Sequence, residues 1–444
     1  MDNFAAVMKG FLRISLQVTP YRLRTAALLG CLAIACALHT QPLEDGSGIA
    51  AALQKSESGD TIPTDSSESA FSPGTRPWPE SLGQRLESLL QDGMFRTSMV
   101  AIMVYDLDAD SAIFAYNERQ TLRPASCAKV VTAITAIDRL GGSHQFKTGL
   151  YYTGSIDGGS LNGDLYCVGG FDPLFNSDDM TAFAESVHRM GIDTVRGSVY
   201  ADKGMKGAAT SGEGWCWDDD NPVLSPLLVG RKDDFAAKLV KRLREAGVAV
   251  MGVAGEKAKP QGAFSITSRY HTIDQVLTPM MRKSDNLCAE AMFYNIAAAA
   301  GTPATEKDAR KEVSRIVSKI GLQPNRYRFA DGSGLSLYNY ASAELLTLLL
   351  RYAWRNDNIY HHLAPSLPVA GESGTLSGRM KGVHTKGNVR AKTGTLEGVS
   401  SLAGYCTAAN GHRLCFAIIN QGIMHTQSGR RFQDRVCQAM CSPQ

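Results

Sequence analysis

Ser126 and Lys129 stand three residues apart in the run Ser126-Cys127-Ala128-Lys129. An apolar helical pattern follows, Val130, Val131, Ile134, Ile137 and Leu140, closed by Gly141-Gly142, with Pro124 just upstream. On a helix the two side chains share a face one turn apart. The amino-terminal end of that helix favours developing negative charge. A serine hydroxyl is a weak nucleophile until a base takes its proton, and a buried lysine of depressed pKa is such a base. The ordinary alternative is a serine N-cap beside an exposed lysine. Taken alone it is the favoured reading, because serine is a preferred cap. No other S-x-x-K occurs in the chain.

Two further groups could complete a site. Ser284-Asp285-Asn286 lies between two helical patterns, 272–283 and 287–300, so a hydroxyl and an amide could both point into a cleft. A helix cap is again the plainer explanation. Lys392-Thr393-Gly394-Thr395 ends an extended stretch that begins near Val389. In a strand Lys392 and Gly394 share one face, and Thr393 and Thr395 take the other. Gly394 would let a substrate backbone come close; an edge strand with a surface lysine is the alternative. Second copies of these short patterns, Lys147-Thr148-Gly149 and Ser160-Leu161-Asn162, are set aside. They crowd too close to Ser126, and in the wrong order, to bring three groups around one cleft.

S-x-x-K, S-x-N and K-T-G in this order are the signature of penicillin-binding proteins and class A β-lactamases. The chain resembles more closely the class C low-molecular-mass penicillin-binding proteins, the penicillin-binding protein 4 family of D-alanyl-D-alanine carboxypeptidases and endopeptidases (serine peptidase family S13). Beyond the three motifs, the resemblance is carried by LNGDLYCVGGFDPL (161–174), GWCWDD (214–219), SDNLCAE (284–290), DGSGLS (331–336), VAGESGTL (369–376) and VRAKTGTLEGV (389–399). It covers most of residues 80–440. Two departures stand out: Phe171 where glycine is usual, and Glu397 where a glutamine can occur.

The resemblance implies a serine acyl-transfer mechanism on peptidoglycan peptides, with β-lactams as inhibitors. Ser126 is the nucleophile and neutral Lys129 the base. Ser284, linked to Lys129, returns a proton to the leaving amine, and Asn286 holds the substrate backbone or the lysine. Lys392, with the Thr393 and Thr395 hydroxyls, binds the carboxylate beside the scissile amide, Gly394 completes the substrate-binding stretch, and the amides of Ser126 and Thr395 form the oxyanion hole. Asp172 and Arg379 are nominated for the amine and carboxylate of a diaminopimelate side chain; surface charges are the alternative for both. A β-lactamase is a second possibility, but no E-x-x-x-N pattern for a deacylating glutamate lies between Asn286 and Lys392. A non-catalytic peptidoglycan-binding or β-lactam-sensing domain is a third, against which the three intact motifs count.

The rest of the chain bounds these readings. Its 444 residues, 44% hydrophobic and 20% charged, suit a globular enzyme. The net charge of +3 is concentrated in residues 1–37 (Lys9, Arg13, Arg22 and Arg24 against Asp2), so no nucleic-acid partner is indicated. Ala26–Leu38 is an apolar run too short to span a bilayer. Following a basic stretch and containing Ala35-Cys36-Ala37, it reads as a signal peptide over 1–37, placing the protein in the periplasm. Lipidation at Cys36 or an uncleaved anchor would leave it membrane-associated. Residues 38–77, rich in Ser, Asp, Glu and Pro, read as a disordered linker. No cofactor and no metal constellation is indicated: the nine histidines are scattered, and adjacent His361 and His362 do not share a face. Asn410-Gly411 reads as a two-residue hairpin turn. That register would set Cys406 opposite Cys415, as a disulfide or as two core thiols.

These elements predict an α/β fold of the α+β type. Strands at both ends of residues 78–145 and 265–444 imply one central antiparallel sheet flanked by helices, the β-lactamase/transpeptidase-like domain of the resemblance. Residues 146–264 form an inserted, smaller α/β domain.

Overall fold

The computed structural model describes residues 78–218 and 221–443, so the expected signal and linker lie outside the described residues. Five antiparallel strands form the central sheet, in the order Arg390–Leu396, Val399–Thr407, Arg413–Gln421, Met99–Asp106 and Ser111–Tyr116. The first and last strands in sequence are therefore neighbours across the middle of the sheet. The three inner strands are buried along nearly their whole length because both sheet faces are covered. Ala101, Met103, Ala417 and Ile419 pack against a large helical layer. Val100, Ile102, Phe416 and Ile418, one residue out of phase, pack against the helices Glu80–Leu89 and Thr426–Cys441. In the helical layer Ala128–Leu140 is buried along most of its length, and Asn286–Ala298, buried on nearly every side, packs beside it.

The inserted region carries its own five-stranded sheet, ordered Ala254–Glu256, Val199–Asp202, Leu165–Val168, Gln145–Tyr152 and Phe264–Thr272. Helices Ser177–Arg189 and Phe235–Glu245 supply most of the rest of its core. The pairing of Phe264–Thr272 with Gln145–Tyr152 carries this sheet eight residues past the expected end at 264. The set-aside copies Lys147 and Ser160 lie in strands of this region.

The expected hairpin exists, but its turn is one residue longer. Ala408 N donates to His412 O at 2.8 Å, and Gly411, at φ +89°, closes a three-residue loop. The register therefore sets Cys406 opposite Leu414 and Tyr405 opposite Cys415. A one-residue slip sends a side chain to the other face of a sheet, so Cys406 and Cys415 lie in different cores and both are free thiols. A peptide map made without reductant should recover the two cysteine peptides unlinked to each other; a 406–415 cross-link would contradict this register.

Candidate active site

Ser126 sits in a single 3-10 turn, Ala125–Cys127, that runs directly into Ala128–Leu140; no side chain caps it. Ala125 takes φ +47°, a left-handed conformation that costs an L-residue roughly 1–2 kcal/mol. Two neighbours hold it there. Ser401 Oγ donates to Pro124 O at 2.6 Å. Gly334, at φ +81°, packs so tightly beneath that an added Cβ would lie 2.0 Å from the Ala125 carbonyl oxygen.

The Lys129 side chain is fully buried. Its Nζ donates to Asn286 Oδ1 and to Ser333 O, both at 2.7 Å, and lies 3.1 Å from Ser126 Oγ. Burial lowers its pKa to about 8, against the opposing pull of Asp331, Glu290 and Asp285. The Ser333 carbonyl is placed by a loop fixed from two sides. Glu290 accepts the N–H groups of Gly332 and Ser333, and Asp331 accepts those of Gly334 and Ser336, the Asn339 amide and Trp215 Nε1. Burial, then the nearby Asp331, pushes the Glu290 carboxyl up to about 8.

In Ser284-Asp285-Asn286 the capping explanation holds for the middle residue alone. Asp285 accepts from Cys288 N at 3.0 Å, which frees its two neighbours. Ser284 takes φ +61°. Arg231 of the inserted region donates to both carboxylate oxygens of Asp285, at 2.7 and 2.9 Å, bracing the connection that carries Ser284. Contrary to expectation, the Ser284 hydroxyl meets Lys392 rather than Lys129: Lys392 Nζ lies 3.0 Å away.

Lys392 is as buried as Lys129 and also donates to Thr393 O at 2.6 Å. Burial, and then the like charge of Lys129, lowers its pKa to about 7. Lys392 and Gly394 face inward while Thr393 and Thr395 face the cleft, as strand alternation requires. What approaches Gly394 is the chain itself. An added Cβ would meet Ser401 Oγ at 2.1 Å, Pro124 O at 2.7 Å and Cys127 N at 3.0 Å.

A cavity of about 520 Å³ opens over these groups, lined by Ser126, Ser284, Thr393, Thr395, Arg379 and Arg430 among others. Arg379 thus reaches the cleft, bound to Asp434 at 2.7 Å. Asp172 does not line it. Its carboxylate is wholly buried and already accepts from His271 Nδ1 at 2.8 Å and Leu174 N at 3.0 Å, which leaves it unavailable to a substrate amine. Phe171 adopts φ +55°, the conformation that explains the usual glycine, and buries its ring against Tyr294. Glu397 is exposed and is not among the cavity's lining residues.

Among the described residues one group could share a cation: Asp106, Asp108 and His412. Its atoms are already engaged, Asp106 by His412 and two backbone amides, Asp108 by Arg413. Sequence reasoning gave no role to Glu290, Asp331, Ser333, Arg231 or Arg430. The first three lay in stretches that carried the resemblance, but each acts through fold contacts no spacing reveals.

Gly394→Ala should force the edge strand off the serine turn. A loss of about 1–3 kcal/mol in a urea melt is expected from the overpacking, with a fall in acylation larger than the stability loss explains. Unchanged acylation would show that the close approach does not position Ser126.

The profile of the D-Ala-D-Ala carboxypeptidase 3 (S13) family matches residues 82–229 and 228–440. D-alanyl-D-alanine carboxypeptidase DacB of Haemophilus influenzae is 26% identical over 405 residues, covering 72% of this chain and 84% of that protein. D-alanyl-D-alanine carboxypeptidase of Actinomadura sp. is 26% identical over 444 residues, with 77% and 81% covered. The crystal structure of penicillin binding protein 4 from Haemophilus influenzae superposes with a TM-score of 0.72 at 23% identity, covering 79% of this chain and 97% of that one. A structure of the same protein complexed with a β-lactam superposes at 0.66, with 24% identity and 79% and 98% covered. The three motifs around one cleft and the matches over most of the described residues agree: this chain belongs to the D-Ala-D-Ala carboxypeptidase 3 (S13) family of serine peptidases.

Proposed function

We propose that the protein is an exported serine D-alanyl-D-alanine carboxypeptidase and DD-endopeptidase. It works in the periplasm on peptidoglycan stem peptides and cross-links through an acyl-enzyme, and β-lactams inhibit it by acylating the same serine. The observation that carries the chemistry is the surroundings of Lys129 Nζ. A neutral amine has two N–H groups and one lone pair. Asn286 Oδ1 and Ser333 O take the two hydrogens, which leaves the lone pair for the Ser126 hydroxyl.

Ser126 Oγ then attacks the carbonyl of the penultimate D-alanine as Lys129 takes its proton. The oxyanion meets the amides of Ser126 and Thr395. Thr395 lies on the edge strand of the central sheet; near that strand's start Ala391 N donates outward to Pro368 O, and among the described residues no strand pairs along the outer side at Thr395. Ser284 gives its proton to the leaving amine and is resupplied by the Lys392 ammonium 3.0 Å away. Water hydrolyses the ester. In either cleavage the leaving amine sits on a D-centre bearing a free carboxylate, so one site serves both. The basic and apolar run within residues 1–37 supports export.

A fluorescent penicillin should label the wild type and not Ser126→Ala; labelling that survives the substitution would remove Ser126 as nucleophile. The two lysines titrate as a pair. The active form has Lys129 neutral and Lys392 charged; with Lys129 at about 8 and Lys392 at about 7 it is the minor of the two singly protonated forms, reached by passing the shared proton from Lys129 to Lys392. The apparent values of about 7 and about 8 then set two limbs. kcat/KM on a D-Ala-D-Ala peptide should peak between them and fall about tenfold per pH unit on either side. A profile that keeps rising well above pH 8 would show that Lys392 need not be charged.

A further inference from the structure

The resemblance assigned the substrate carboxylate to Lys392 with the Thr393 and Thr395 hydroxyls, and the structure puts the Lys392 amine out of reach. Its side chain is wholly buried on the inner face of the edge strand, spent on Ser284 and on its neighbour's carbonyl. The strand's outward groups, the Thr393 and Thr395 hydroxyls, carry no charge. Of the two guanidinium groups in the cavity, that of Arg379 is neutralised. It donates through Nε and Nη2 to Asp434 Oδ1, at 3.0 and 2.7 Å, and through Nη2 to Gln433 Oε1 at 3.1 Å. Arg430 stands one turn before Asp434 on the terminal helix, and its Nη2 lies 3.4 Å from Thr395 Oγ1. Among the described residues it has no carboxylate within ion-pair distance.

We infer that Arg430 is the carboxylate anchor of the cleft: its guanidinium and the Thr395 hydroxyl together hold the free α-carboxylate next to the scissile bond. This assignment rests on the proposed peptidase reading and deepens it. A guanidinium suits the task because it stays charged throughout the pH range in which the two lysines titrate, and its fork matches a carboxylate. Recognition of the substrate end is thereby separated from the proton chemistry on the other face of the same strand. The cavity selects a substrate by its terminal charge, and a C-terminal amide lacks it.

Two measurements test the anchor. In the first, Arg430→Gln and Arg430→Lys are compared with wild type on a peptide ending in D-Ala-D-Ala and on its C-terminal amide. Arg430→Gln should raise KM for the free acid by roughly tenfold or more with kcat little changed, since a charge-assisted bond is lost. It should leave the amide's KM unmoved, and Arg430→Lys should recover part of the loss. Full retention of the acid-over-amide preference in Arg430→Gln, or equal losses on both peptides, overturns the assignment. In the second, equilibrium binding of acetyl-D-alanyl-D-alanine is measured on Ser126→Ala with and without Arg430→Gln, each checked for an unchanged melting temperature. This readout needs no turnover. If wild type cleaves neither peptide while binding still depends on Arg430, the peptidase reading fails and the anchor stands. Binding indifferent to Arg430 sinks the anchor whatever the activity.

Discussion

A buried amine must find acceptors for its hydrogens or lose its place in the fold, and the site is organised around satisfying Lys129 without neutralising its use. A carboxylate within contact of Nζ would have fixed the proton there. The acceptors supplied are an amide oxygen and a peptide carbonyl, both uncharged. The acidic groups that act on Lys129, namely Asp331, Glu290 and Asp285, are spent on backbone amides, an indole and Arg231 rather than on the amine. They temper the effect of burial on its pKa without cancelling it. This arrangement needs the 331–336 loop, the start of Asn286–Ala298 and the serine turn in contact, which explains why Gly334 and Gly394 have no room for a side chain.

A second buried amine raises the stakes. Two ammonium groups in one desolvated space repel each other, and that repulsion adds to burial in lowering Lys392. The pair is thereby poised to hold about one proton near neutrality, the condition under which one amine accepts while the other supplies. Holding the second amine to Ser284 falls partly to the inserted region. Arg231 donates to both carboxylate oxygens of Asp285 while Asp285 caps the next helix. Ser284, at φ +61°, sits next to that braced residue.

Much of this was legible in the sequence. The order of the three motifs picked out Ser126, Lys129, Ser284 and the edge strand, which the fold brings to one place, and strand alternation correctly divided Lys392 and Gly394 from the two threonines. Periodicity located Ala128–Leu140, Ile273–Arg282 and Asn286–Ala298 within a few residues, although Asp357–Ser366 escaped notice because Pro365 and its run of Asn, Asp and His argue against a helix. What was not legible is long-range. A hairpin one residue longer than its Asn-Gly signal moved Cys406 to the opposite core. Asp172 looked like a site residue until His271, ninety-nine positions away, proved to occupy it. Ser284 was paired with the wrong lysine, since spacing along a chain does not say which of two buried amines a loop will meet.

The edge strand shows how one short segment meets two demands that conflict. The chemistry asks for a lysine whose charge is easily lost, which requires burial. The substrate, ending in a carboxylate, asks for a charge that is never lost and is open to the cleft. No single side chain does both. The period-two alternation of a strand resolves the conflict, because it sends Lys392 inward to the proton pair and Thr395 outward to the cavity, where a residue from the terminal helix brings a permanent charge beside it. That helix is the last element in the sequence, and it packs on the same sheet as the strand. Its place over the cleft therefore depends on the apolar face formed by Phe432, Val436 and Met440, residues with no chemistry of their own.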